Sequence, residues 1–222
     1  DYADTGEAVT DAQGSKVVGN TAFKPTATSG TAEVSLKFDA AGFDTSRKLV
    51  VFEKLYASDD LLASHEDKDD AGQSVTPVVP KLATTAADGF DGDKNVVAMP
   101  GAEIIDEVSY EGVAAGVEHE IRGTLKYKDT GEAVKDAKGN PVTATAKFTP
   151  ELSSGKTKVT FRFDGTGIAD SSACVVAEQL YVAGELIAGH DDLSDEDQTV
   201  RLTTPKLATQ AADGHDGDKN VV

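Results

Sequence analysis

The chain has 222 residues, a formal net charge of −18, 39% apolar residues, 6% aromatics and no Trp. Such an acidic surface disfavours nucleic acid and anionic membrane as partners, and no apolar run is long enough to span a bilayer. The single Cys174 has no intramolecular disulfide partner, so any covalent staple would have to be something else.

In chain order, a Gly- and Asp-rich stretch (DTGEAVTDAQG) reads as a loop or hairpin, and LVVFEKLY (Leu49 to Tyr56) as a strand. HEDKDDAGQ (His65 to Gln73) reads as an acidic, solvated loop. PKLATTAAD (from Pro80) predicts the first strand of a new unit, followed by the turn DGFDGDKN, Asp88 to Asn95. That turn has an Asp spacing faintly like a calcium loop but lacks the downstream bidentate Glu, so it is read as a turn with no metal. Six further strands are predicted from β-branched and aromatic runs: IIDEVSY (Ile104 to Tyr110), EIRGTLKY (Glu120 to Tyr127), VTATAKF (Val142 to Phe148), KVTFRF (Lys158 to Phe163), ACVVAEQLYV (Ala173 to Val182) and QTVRLTT (Gln198 to Thr204). KDTGEAVKDAKGNP and ELSSGK separate them as turn clusters, and HDDLSDEDQ (His190 to Gln198) as a second acidic loop. No stretch sustains a helical period. The expected fold is all-β, an antiparallel immunoglobulin-like sandwich used in tandem.

The tandem arrangement follows from an internal repeat. Tyr2 returns as Tyr127, an offset of 125 residues that also carries Phe23 to Phe148, Val50 to Val175, His65 to His190 and Gln73 to Gln198 without a gap. The eighteen residues from Pro80 (PKLATTAADGFDGDKNVV) return from Pro205 with two changes, Thr85 to Gln210 and Phe90 to His215. The reading is a partial unit over 1–79 lacking its N-terminal strands, a complete unit over 80–205, and the first strand and turn of a further unit over 206–222. An initial Asp rather than Met is in keeping with a window on a longer polypeptide.

Two copies of one fold also sort the polar residues. Glu53/Glu178, His65/His190, Asp70/Asp195, Gln73/Gln198 and Thr84/Thr209 match, whereas Thr85 does not. Taken singly, each has an ordinary explanation: solvated charge in a loop, an outward Glu on a strand, Thr as a β-former. Together they supply a hydroxyl nucleophile, proton shuttles and an acyl donor, the set that acyl transfer requires.

LVVFEKLY followed by LLASHEDKDDAGQSV resembles the repeat named for its V-x-F-E signature in surface adhesins of Gram-positive bacteria. The spacing of His and Gln, the Asp three residues before Gln, and PKLATTAAD with DGDKNVV all agree with it. The resemblance implies immunoglobulin-like domains with an autocatalytic ester between a Thr and a Gln side chain. By position, Thr84 is then the nucleophile and Gln198 the acyl donor, assisted by His190, Asp195 and Glu178. His65, Asp70, Glu53 and Gln73 are their counterparts in the partial unit. Phe52 of the signature is Ala177 in the complete unit, which is expected to remove aromatic packing beside Glu178. No cofactor, metal or turnover enzyme is implied, only a single self-cross-linking event in an extracellular, cell-wall-anchored protein. Thr209 and Gln73 have no counterpart partner within the window and are expected to react with neighbouring material, or with each other head to tail. A Lys–Asn isopeptide staple, an uncross-linked ligand-binding module and a glycosidase using paired carboxylates are the competing readings.

Overall fold

The computed structural model describes residues 1–38, 44–212 and 219. The chain forms two compact units, Asp1–Val79 and Pro80–Val222. Every regular element among the described residues is a β-strand. His215 and Asp39 lie outside the described residues.

The first unit is sparse. Strand β1 (Leu49–Val50) pairs antiparallel with β4 (Ser74–Val75), and β2 (Glu53–Ala57) with β3 (Asp60–His65). Val9, Leu49 and Val50 are its buried apolar residues, whereas β2 and β3 are exposed along their whole length. Two two-stranded ladders bury little, because a sheet face gains its stability only against a second layer.

The second unit has that layer and is an antiparallel β-sandwich of immunoglobulin-like architecture. One sheet runs β10 (Ser154–Asp164), β7 (Pro100–Glu111), β5 (Lys81–Asp88). The other runs β6 (Asn95–Val97), β13 (Thr199–Thr203), β11 (Ser172–Val182), β8 (His119–Tyr127), β9 (Thr143–Phe148), with β12 (Glu185–His190) also paired to β11. The six strands expected from the sequence each lie within or across one of these elements. Alternation explains the core: on β7, Ala102, Ile104, Val108 and Tyr110 turn inward, and on β8, His119, Ile121, Gly123 and Leu125 do. Phe161, Val159, Val176, Leu180, Val200 and Leu202 complete the layer between the sheets.

Two features of the topology bring polar side chains together inside this core. The first strand crosses between sheets: β5 pairs with β7, and after the turn at 89–94 β6 runs parallel to β13. The long strand β11 has β8 along one edge, while its other edge is shared, β13 against Ser172–Val175 and β12 against Glu178–Val182. The connection from His190 to Thr199 fills the gap between those two ladders. Sequence patterning does not predict β12, and His190, expected in the acidic loop, closes that strand. The β12 hairpin turns on Ala183–Gly184, both at positive φ (51° and 88°), a primed two-residue turn that Ala announces poorly. Residues 204–212, although they repeat the β5 sequence, form no strand and carry no ladder partner among the described residues. β5 pairs with β7 along its whole length, Lys81–Asp88.

A Cβ built on Gly123 would collide with Cζ of Phe161, whose ring occupies the space that the glycine leaves open. Gly123→Ala in a Thr84→Ala background is therefore expected to destabilise the unit by about 1–3 kcal/mol, as overpacked cores do. Thermal melts followed by circular dichroism check it, and an unchanged midpoint would show that Phe161 has room to move.

Candidate functional site: a buried Thr–Asp–Glu–Gln cluster

The buried polar side chains of the second unit, among the described residues, are Thr84, Asp88, Asp106, His119, Glu178 and Gln198. Four of them come from four different strands or strand ends. Thr84 occupies an inward position of β5, with Thr85 exposed beside it, which matches the retention of Thr84 and loss of Thr85 across the repeat. Asp106 is inward on β7, opposite Ala86 in the ladder. Glu178 is inward on β11 at the point where that strand is flanked by Gly123 of β8 and His190 of β12. Gln198 directly precedes β13, and its carbonyl accepts the Val176 N–H at 3.2 Å across the gap in the ladder.

Eight buried side-chain N and O atoms have no hydrogen-bond partner among the described residues, and seven are Thr84 Oγ1, both oxygens of Asp106, both oxygens of Glu178, and Oε1 and Nε2 of Gln198. An unpaired buried polar group costs about 1–3 kcal/mol, and native folds rarely leave several together. Two ionised carboxylates offer only acceptors to one another, so a proton held by the pair is the missing donor. The charges agree with this. Burial raises the Glu178 carboxyl far above its ordinary range, and the neighbouring Asp106 raises it further, while the Thr84 hydroxyl pulls it down. Burial also raises Asp106, but Glu178, Gln198, His190 and Lys94 all favour its ionised form. Burial raises both carboxyls, so the pair holds one proton between them.

His190 and Asp195 form the polar rim. His190 Nε2 lies 2.8 Å from Asp195 Oδ2, and both side chains are about three-quarters buried, with 21% and 24% of their surface exposed. The Asp195 carboxyl is pulled down despite partial desolvation, by the Asp197 N–H, His190 and the Gln198 N–H. Its Oδ1 accepts that Asp197 N–H at 2.8 Å. One carboxylate thus orients the imidazole and pins the segment that leads into Gln198.

The same motif in the first unit lacks the enclosure. Glu53 pairs with His65 across β2 and β3 as Glu178 does with His190, and His65 Nε2 lies 2.9 Å from Asp70 Oδ2. But Glu53 is exposed, His65 is 49% exposed and Gln73 is half-buried. Thr209 is exposed.

Asp106 is a site residue that sequence reasoning misses. Its position falls outside the overlap of the two repeats, so duplication does not flag it. The signal that exists is parity: Ala102, Ile104, Val108 and Tyr110 place an Asp in register with core residues, although Ile105 blurs the pattern. Strand alternation also corrects the expected consequence of Ala177. Successive strand residues face opposite ways, so Ala177 points away from Glu178, and the aromatic neighbour on the inner side is Phe161 packed over Gly123. The eighth orphan atom, Nε2 of His119, belongs to a ring whose Nδ1–H donates to the Val117 carbonyl at 2.8 Å and which packs on Phe148 with centroids 5.5 Å apart. In the turn after β5, Asp88 Oδ1 accepts the Phe90 N–H at 2.6 Å and Asp93 Oδ1 the Asn95 N–H at 2.6 Å. Those carboxylates serve the turn itself. Cys174 is buried, and desolvation pushes its thiol up to about 12.

The second unit is thus a β-sandwich that buries a hydroxyl, a primary amide and two carboxyls together. The chain belongs to the family of T-Q ester bond containing domains, whose model matches residues 2–77 and 80–202. Among solved structures it is similar to an adhesin from Mobiluncus mulieris containing intramolecular disulfide, isopeptide and ester bond cross-links, seen in two crystal forms. Identity is 17% over 58% of each chain, with TM-scores of 0.44 and 0.43. The chain thus spans little more than half the length of those structures. No curated protein sequence matches it.

The raised Glu178 carboxyl carries a pH signature. Its stabilising contribution is complete below the unfolded value of 4.5 and is lost progressively as pH rises above it. Thr84→Ala, which leaves the acid pair in place, is expected to melt several degrees lower at pH 9 than at pH 6, and adding Glu178→Gln is expected to flatten that dependence. Calorimetry across this range measures it.

Proposed function

We propose that the second unit closes an ester between Thr84 and Gln198. Thr84 Oγ1 attacks the Gln198 side-chain carbonyl carbon, the C–N bond breaks, and the hydroxyl proton leaves with the nitrogen as ammonia. The observation that carries this reading is the burial together of four polar side chains, Thr84, Asp106, Glu178 and Gln198, which offer a nucleophile, an acyl donor and an acid pair. Neither a Thr hydroxyl nor a primary amide is reactive in water. Fixed geometry in a dry core substitutes for part of the barrier, on the order of 7–11 kcal/mol. His190, held by Asp195, takes the Thr84 proton and returns it to the departing nitrogen. Glu178 in its protonated form polarises the Gln198 carbonyl, and ionised Asp106 keeps that proton in place. Exclusion of water leaves the reaction at the ester, one turnover per molecule. No Lys and no Asn is buried among the described residues of the unit, which disfavours an isopeptide.

The product would join the first strand to the entrance of the last. It would close a loop covering most of the unit, of a length that stabilises by roughly 4–5 kcal/mol through the unfolded state, and supply the staple that a lone Cys does not. Such a unit suits the stalk of a cell-wall-anchored surface adhesin of a Gram-positive bacterium, where load is carried along the chain. Thr209 and Gln73 are in this reading the reactive halves of neighbouring units of the array.

The folded protein is expected to weigh one ammonia less than its sequence. Thr84→Ala and Gln198→Ala should each restore the full mass, and His190→Ala should slow closure on the order of a hundredfold or more. Intact-mass spectrometry with peptide mapping of the Thr84–Gln198 pair reads all three. Full mass in the unsubstituted protein would end the ester reading.

A further inference from the structure

The turn after β5 contains a lysine whose hydrogen bonds the proposed reaction leaves unused. Lys94 folds back so that its ammonium donates to two backbone carbonyls, Ala86 O at 2.5 Å and Asp197 O at 2.6 Å. Ala86 lies two residues after Thr84 on β5, and Asp197 immediately precedes Gln198. The Ala86 N–H donates to the same Asp197 carbonyl at 3.0 Å. Both polar groups of the Ala86 backbone are thereby tied to one carbonyl, once directly and once through Lys94. The next residues extend the tie. The Lys94 carbonyl accepts the Arg201 N–H at 2.7 Å, and Asn95 enters the parallel ladder opposite Arg201.

The strands carrying nucleophile and acyl donor belong to different sheets, so no ladder between β5 and β13 fixes their relative position. Two contacts do so at the site: the Ala86–Asp197 bond and the Lys94 ammonium. A charged donor is roughly twice as strong as a neutral one, and the hydrogen bonds of this one go to the two carbonyls while its charge also favours ionised Asp106. Asp197 is also the residue whose N–H binds Asp195, the carboxylate holding His190. The three links run in series from Lys94 through Asp197 and Asp195 to His190.

We infer that Lys94 is a positioning residue for the cross-link, a cationic clamp that holds the Thr84 strand against the Gln198 segment until the ester forms. The inference rests on the ester reading and deepens it. Lys94 does not touch the reacting atoms. It fixes the distance over which they meet, and misplacement by about 1 Å can slow such a reaction on the order of a hundredfold. Once the covalent bond exists the clamp is redundant, so its effect belongs to the rate of closure and not to the finished product. The sequence is in accord: the five residues Asp91 to Asn95 return unchanged as Asp216 to Asn220, following the second copy of the β5 sequence.

The test follows ammonia loss by mass after rapid refolding of the whole chain, in the unsubstituted protein, Lys94→Met and Lys94→Arg. Thermal melts of Thr84→Ala and of Thr84→Ala/Lys94→Met report folding without the cross-link. The expected result is closure slowed about tenfold to a hundredfold in Lys94→Met, restored to within about threefold by Arg, whose guanidinium can also reach two carbonyls. The double variant should remain folded at the assay temperature. Closure at the unsubstituted rate in Lys94→Met, or no rescue by Arg, would overturn the inference while leaving the ester intact. An unfolded double variant would assign Lys94 to the fold and overturn it equally. If the unsubstituted protein itself shows no mass loss, it is the ester reading that fails.

Discussion

Everything specific about the second unit depends on a carboxyl group, Glu178, kept fully buried between two sheets with a second carboxyl beside it. Two such groups cannot both ionise in a dry core, and the pair is tolerable only while it holds one proton. That requirement reaches outward. It needs the glycine at 123 that admits the Phe161 ring, the β12 hairpin that brings His190 opposite Glu178, and a first strand that leaves one sheet to run beside the other. A fold optimised for stability alone would place an aliphatic residue at 178 and pair the rest.

Thr84, Asp106, Glu178 and Gln198 are buried together between the sheets. In the proposed reaction one ester would replace the Thr84 hydroxyl proton and the Gln198 amide nitrogen there. The surrounding sandwich supports this with a continuous apolar layer, from Ile104 and Val108 to Leu180 and Leu202, that keeps water out. Outside the core, ion pairs such as Lys156–Glu107 and Arg162–Glu103 decorate the exposed faces, where they contribute little. Electrostatics matter where the dielectric is low.

Comparison of the two units shows how much of this is cooperative. Glu53, His65 and Asp70 reproduce the hairpin and the His–Asp contact of Glu178, His190 and Asp195. There Glu53 and His65 are exposed, whereas Glu178 is fully buried. Local sequence therefore sets the hairpin and the imidazole's partner, and enclosure comes from the facing sheet.

Period-2 patterning is enough to place six strands of the complete unit, and the 125-residue repeat read with the family resemblance points to Thr84, Glu178, His190, Asp195 and Gln198. Both are local or self-referential signals, carried by side-chain alternation and by duplication. The place of Asp106 inside the core, the two hydrogen bonds of Lys94, and the neighbours of Glu178 are visible only in the tertiary structure. Each depends on which strands face one another across the sandwich, and that is fixed by the packing of whole sheets and by a strand crossing that leaves no mark in any single segment. The same holds for PKLATTAAD, whose strand at 81–88 is fixed by the β7 ladder that pairs with it along its whole length.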